Sequence, residues 1–449
     1  MKNLSVILSI ILLSTICIIV YIYPKLDYSP VPLQWDVRSG WARYHIIQYG
    51  VLPEDAYALT WQSALRNVAT FDVLSKILSA IINIITGTTV LPESERFHQI
   101  FPWVGILYLP IIVLYFYQYV SKKDGKFNGI DCILLYLFCV FPLEQQLFSM
   151  SFSAGVDNAG SRSRSLLILV LFVTLFGDQR KSRNKLVILM FLFIAFFNYH
   201  HTFSYYLAVY LIMLFLASRR INERHTANLA IYGIIIFFAS AIFYNTNLLE
   251  EPAHLVNSFS EILVNFPSVS HTMQVNPDLF SYHSLGSTYS YMQYINSALI
   301  LIISLIFFWR YIAQKKRGEP KLYEKILFYF LVAEFFVGGA LFVVNGIWSV
   351  YARIFESLTY LSMLLAAFLL VKSERKLRTA VRLVLLGAII ICVISYLTSP
   401  DQTNLQLTEK EFKGISFAGE HIPKTSYIFS DFSLGPSLIY YGQQGIKTI

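Results

Sequence analysis

Four short constellations in this chain have residue types that could do chemistry. In the first, Asp36 stands in Gln34-Trp35-Asp36-Val37-Arg38, followed by Arg43-Tyr44-His45 and then Gly50 and Pro53. A carboxylate there could take a proton from an acceptor hydroxyl as a general base. It could equally help hold a divalent cation, or be a solvated acid paired with Arg38 or Arg43. The second is the run from Ser153 to Arg164, with Gly155, Asp157, Asn158, Gly160, Arg162 and Arg164. Its glycines allow a ligand close to the backbone. Asp157 and Asn158 are hard oxygen donors, and Arg162 and Arg164 could grip phosphate or lie snorkelled at an interface.

The third constellation is Asn198-Tyr199-His200-His201-Thr202. Adjacent histidines do not share a helical face, so hydrogen bonding to phosphate or sugar suits His200 and His201 better than zinc; a satisfied turn pair is the plainer alternative. The fourth runs from Asn345 to Glu356, where Arg353 is the only cation. An arginine near lipid needs an anionic partner. Glu356, three residues on along a helix, and a lipid phosphate serve equally well.

The elements that must position these residues are membrane spans. The chain of 449 residues is 56% hydrophobic and 14% charged, against about a quarter charged in soluble proteins. Apolar runs approaching the roughly 20 residues that cross hydrocarbon occupy 4–23, 99–120, 129–146, 165–177, 186–200, 202–217, 227–244, 294–312, 326–344, 355–371 and 382–398. The first is a span rather than a cleaved signal peptide, being long for such a segment and without a small-residue cleavage site. Residues 71–86 are apolar but broken by Asp72 and Lys76, which fits an amphipathic helix on the membrane surface.

The net charge of +8 follows membrane topology, which argues against a nucleic-acid partner. Segments 121–128, 178–185, 218–225, 310–325 and 372–382 are rich in Lys and Arg, whereas 244–291 has neither. The positive-inside rule therefore puts the N-terminus inside and the C-terminus outside. The expected fold is an all-α polytopic membrane protein with about eleven transmembrane helices. Residues 1–398 form the membrane domain, with outer loops 24–98, 145–164, 245–291 and 345–354. The loop 24–98 is long, and the outer tail 399–449 is short.

In that tail, 425–431 reads as a strand, Gly435-Pro436 as a turn and 437–441 as apolar again. About fifty residues make a poor independent core. The tail either packs on the membrane domain or is the start of a larger outer module. Cys17, Cys132, Cys139 and Cys392 all lie in apolar runs and read as buried thiols. Loop 245–291 contains acids and histidines in no metal-binding spacing, and its length suits a cover over a site. The chain has no Walker loop, GxSxG elbow, dinucleotide fingerprint or HExxH motif.

Taken together, the four constellations resemble those of GT-C glycosyltransferases, membrane enzymes that use polyprenyl-phosphate-linked sugars. Asp36, Tyr44-His45, Gly50 and Pro53 fit, in order, the family's first outer loop. Residues 154–160, Ala-Gly-Val-Asp-Asn-Ala-Gly, are similar to the second acidic motif of oligosaccharyltransferase catalytic subunits, roughly Ala-Gly-x-x-Asp-Asn-Glu-Gly. Tyr351-Ala352-Arg353 resembles the arginine turn that binds donor phosphate. The chain departs from the pattern in lacking one residue before Asp157, in having Ala159 where the second acid stands, and in having no Trp-Trp-Asp acceptor motif.

The resemblance implies a catalytic Asp36 and a donor-phosphate site of Arg353, His200, His201, Arg162 and Arg164. Asp157, Asn158 and His45 would support the acceptor or a cation. A metal, if used, would be Mg2+ or Mn2+ on Asp36 and Asp157. The partners implied are a polyprenyl-phosphate-linked sugar, a glycan, lipid or protein acceptor, and membrane lipids, with the site on the outer face of a prokaryotic plasma membrane. Two rival readings are a flippase or transporter of lipid-linked or anionic solutes, with Glu334 as its mid-membrane ionisable residue, and a non-catalytic subunit, favoured by Ala159.

The topology is open to direct test. Export-dependent reporters fused within 178–185, 218–225 or 372–382 are expected to stay inactive, and those within 245–291 or after 398 to be active. Activity in the basic segments would overturn the orientation.

Overall fold

The structure is a computed structural model. It describes residues 46–50, 73–89, 109–124, 128–150, 182–197, 201–220, 224–243, 287–317, 322–345, 347–398, 409–423, 428–430 and 446–448, with positions 12, 15, 16 and 320. The expected spans 4–23 and 165–177 fall largely outside these residues. The other nine correspond to helices.

In chain order the helices are α1 (Val73–Thr86), α2 (Leu109–Asp124), α3 (Gly129–Met150), α4 (Ser182–Phe197), α5 (His201–Arg220), α6 (Arg224–Phe243), α7 (Ser287–Arg317), α8 (Leu322–Asn345), α9 (Ile347–Lys372), α10 (Arg375–Thr398) and α11 (Glu409–His421). Two stretches meet both the length and the hydropathy of a membrane span over described residues alone, Ile295–Lys315 (mean hydropathy 1.9) and Arg375–Ile394 (2.3). The protein is an integral membrane protein.

Helix α9 is the hub. It packs against α2, α3, α7, α8 and α10. Every residue from Leu358 to Val371 is at most 1% exposed. Ala366, Ala367, Ser362 and Thr359 let neighbours approach closely, as small residues do between membrane helices. A second group joins α4, α5 and α6, and α5 connects it to the hub through α8. Outward faces carry exposed apolar side chains such as Phe191, Ile235, Trp309, Phe336 and Leu383. These are the surfaces a bilayer would cover.

Contacts near the helix ends match the charge pattern. Arg382 near the start of α10 donates from Nε to Oδ1 of Asp131 at the start of α3, at 2.7 Å. Tyr117, near the end of α2, donates to the other oxygen of Asp131 at 3.1 Å. Arg310, near the end of α7, donates to Ser373 Oγ at 3.3 Å and lies 5.6 Å from the Phe368 ring centroid. Each of these joins ends that the charge pattern assigns to one side of the membrane.

Several helices outrun the apolar runs. Helix α9 starts at Ile347, so most of the expected outer turn 345–354 is helical, and only Gly346 separates α8 from α9. Helix α7 has 31 residues, about 46 Å at 1.5 Å per residue, and begins inside the expected loop 245–291. Polar residues continue a helix in water or headgroups as well as apolar ones do in lipid, so hydropathy alone misses these turns.

The expected surface helix is α1. It is capped by Gly87 at φ 72° and by Asn83, which donates from Nδ2 to the Thr88 carbonyl at 3.0 Å. The tail departs from an all-helical reading. It contains α11 and a parallel pair of short strands, β1 (Ile428–Ser430) and β2 (Ile446–Thr448). The expected strand at 425–431 contains β1. Its partner lies beyond 437–441, and that segment is outside the described residues.

Among the described glycines, Gly233 on α6 has the tightest surroundings. A Cβ there would meet Leu211 Cδ1 at 2.6 Å and Phe193 Cε2 at 2.9 Å. Gly233→Leu is expected to cost about 1–3 kcal/mol by overpacking, read as a lowered Tm in detergent or nanodiscs. An unchanged Tm would show that this approach does not constrain the bundle.

Candidate functional site

The residues that sequence chemistry singled out fall into two sets. Asp36, His45, Asp157, Asn158, Arg162, Arg164 and His200 lie outside the described residues. His201 and Arg353 lie on described backbone. His201 is the first residue of α5, and Arg353 is the seventh of α9. Both stand toward the ends opposite the basic segments. Helix α8 packs against both α5 and α9, so one wall links the two positions. The start of α5 also has the positive end of the helix dipole, which favours an anion. The expected cation ligands Asp36 and Asp157 are both outside the described residues. Among the described residues no three of His, Cys, Asp and Glu gather as metal ligands.

Two polar clusters inside the bundle are well defined, and neither is part of that site. Near the middle of each helix, Tyr210 Oη on α5 donates a hydrogen bond to Glu334 Oε1 on α8. Both residues are 1% exposed. This gives Glu334, which the sequence singled out, a packed interhelical position. The second cluster is centred on Asp131, which sequence reading missed. It accepts from Arg382 and Tyr117, while Asn128 N–H donates to Tyr117 Oη at 3.1 Å. Asp131 sits two residues inside an apolar run, and its strongest partner is 251 residues away. The available signal was a lone acid at a basic membrane edge.

Cys132, Cys139 and Cys392 are buried free thiols, as expected. Cys17 is outside the described residues. In the tail, the Phe417 and His421 rings stack at 4.1 Å on α11.

Asp131 is 1% exposed and the Arg382 side chain 28%. Asp131→Leu therefore strands a partly solvated guanidinium. The expected loss is about 1–3 kcal/mol, below the 3–5 kcal/mol of a fully buried pair because water screens Arg382. The measurement is thermal unfolding of the single variants and of Asp131→Leu with Arg382→Leu. Additive losses would show that the two side chains do not couple.

No protein-family model and no curated protein matches the chain. Solved structures do. The oligosaccharyltransferase of Archaeoglobus fulgidus, in complex with Zn and sulfate, superposes with a TM-score of 0.55 at 12% identity, over 97% of this chain and 62% of that one. This chain thus spans about 62% of the oligosaccharyltransferase's length. ArnT of Cupriavidus metallidurans superposes in the apo state with a TM-score of 0.51 at 9% identity, over 100% of this chain and 86% of that one. ArnT bound to undecaprenyl phosphate gives 0.51 at 10% identity, over 98% and 85%. At such identities the likeness is one of fold, and by fold the chain is similar to the GT-C glycosyltransferases that its sequence constellations resemble.

Proposed function

We propose that the protein is an integral membrane glycosyltransferase that moves a sugar from a polyprenyl-phosphate or polyprenyl-diphosphate donor to an acceptor at the outer face of a prokaryotic plasma membrane. The observation that carries this reading is fold likeness across almost the whole chain to ArnT, one structure of which holds undecaprenyl phosphate. The four sequence constellations support it independently, since they fall in segments that the charge pattern assigns to the outer side.

The chemistry asks little of the protein. A polyprenyl phosphate is already a fair leaving group. Asp36 takes the proton of the acceptor hydroxyl as its oxygen bonds to the anomeric carbon. The bond from that carbon to the phosphate oxygen breaks, and negative charge grows on the departing phosphate. Arg353 and the His200-His201 pair supply fixed positive charge and donors where that charge develops, which is where electrostatic stabilisation counts most. Arg162 and Arg164 add to the phosphate grip. Asp157, Asn158 and His45 orient the acceptor. A divalent cation, Mg2+ or Mn2+, would be held by Asp36 and Asp157. Ala159 in place of a second acid favours one alternative, a non-catalytic relative.

The first test is sugar transfer by purified protein from a panel of labelled polyprenyl-phosphate sugars. Wild type is expected to consume one donor and Asp36→Asn to consume none while expressing normally. Equal turnover in the two would refute the base role. Arg353→Ala is expected to weaken donor binding about tenfold or more, in line with the roughly 1.5–3 kcal/mol of a charged hydrogen bond. Unchanged binding would remove Arg353 from the phosphate site.

A further inference from the structure

We propose that Glu334 and Tyr210 are a positioning pair, a mid-membrane hydrogen bond that fixes the register of α5 against α8 and thereby the spacing of the helix ends that carry His201 and Arg353. The first part stands on geometry alone. The consequence for donor binding rests on the function proposed above.

Tyr210 is nine residues from the start of α5 at His201, and Glu334 is eleven from the end of α8 at Asn345. At 1.5 Å per residue these are about 14 Å and about 16 Å, close to half of a hydrocarbon core about 30 Å thick. The bond therefore lies near the midplane. The two helices run antiparallel from it to the same face. The Tyr210 ring packs against Phe330, one turn from Glu334 on α8, with centroids 4.6 Å apart. Tyr206, one turn from Tyr210 toward that face, is fully buried.

Apolar packing between membrane helices has no water to exclude and rests on van der Waals contact and interhelical hydrogen bonds. A carboxyl group in hydrocarbon adds a directional constraint, because parting it from a hydrogen-bond donor there is unfavourable. A slip of one turn, about 5.4 Å, would part Tyr210 from Glu334 and move the ends of α5 and α8 by the same distance. Helix α9 packs on α8, and Arg353 follows Asn345 by eight residues, so the register set at the midplane passes to both donor-site positions.

The test compares wild type, Glu334→Gln, Glu334→Leu and Tyr210→Phe in nanodiscs. Hydrogen exchange of 201–206 and 340–345 reads register, and KM and kcat for a polyprenyl-phosphate sugar read its consequence. Gln keeps an oxygen for Tyr210 and is expected to match wild type in both. Leu and Phe are expected to speed exchange at those turns and to raise the donor KM about tenfold, a 1.4 kcal/mol effect, with kcat nearly unchanged. Tyr210→Phe removes one oxygen atom and carries the test if Glu334→Leu fails to fold. Unchanged exchange in both Leu and Phe, a Gln variant as defective as Leu, or a loss confined to kcat would overturn the proposal. Exchange as expected in a wild type that transfers no sugar would support the register role and sink the glycosyltransferase reading.

Discussion

The enclosure of α9 is the constraint on which the rest of the structure depends. Fourteen consecutive residues, Leu358–Val371, have no surface left for lipid. In a bilayer such a helix gains nothing from hiding apolar side chains, since hydrocarbon surrounds it either way. What holds it is close packing on every side, by α2, α3, α7, α8 and α10. The aromatic rings along this seam, including Phe307 against Phe368 at 5.5 Å and Tyr311 against Phe328 at 4.0 Å, fill the volume between helices. The same helix carries Arg353 toward its other end.

Membrane placement was legible in the sequence because hydropathy and loop charge report it directly. Where described residues exist, every apolar run is helical. The ends were less legible. Nothing in Trp348 or Tyr351 says that the helix has already begun, because a turn exposed to headgroups has no apolar signature. Helix α11 was missed for a related reason. Gly414 and Gly419 disfavour a helix, and among the described residues of α11 only Ile415 and Ala418 are buried apolar positions. The parallel pairing of Ile428 with Ile446 is a tertiary fact that no local pattern announces.

The candidate site was legible only as chemistry. Residue types and neighbours picked out His201 and Arg353, and the fold adds that α8 links the helices bearing them. The interior polar groups show the opposite case. Asp131 carries no motif, yet its network joins α2, α3 and α10. Glu334 was visible as an ionisable residue inside a span, but not that its partner is Tyr210, 124 positions earlier. Long-range pairing is invisible to any reading that proceeds window by window.

That long separation has a consequence for how the protein is made. Asp131 enters the membrane edge with Tyr117 and Asn128 nearby, but Arg382 is synthesised 251 residues later. At roughly 5–20 residues per second, the acid waits on the order of 12 to 50 s for its cation. Helix α9 is synthesised toward the end of that interval, just ahead of Arg382, so the hub helix and the cation for Asp131 arrive nearly together. Helix α10 thus brings a late partner to an acid placed early in translation, and it covers one further side of the hub helix.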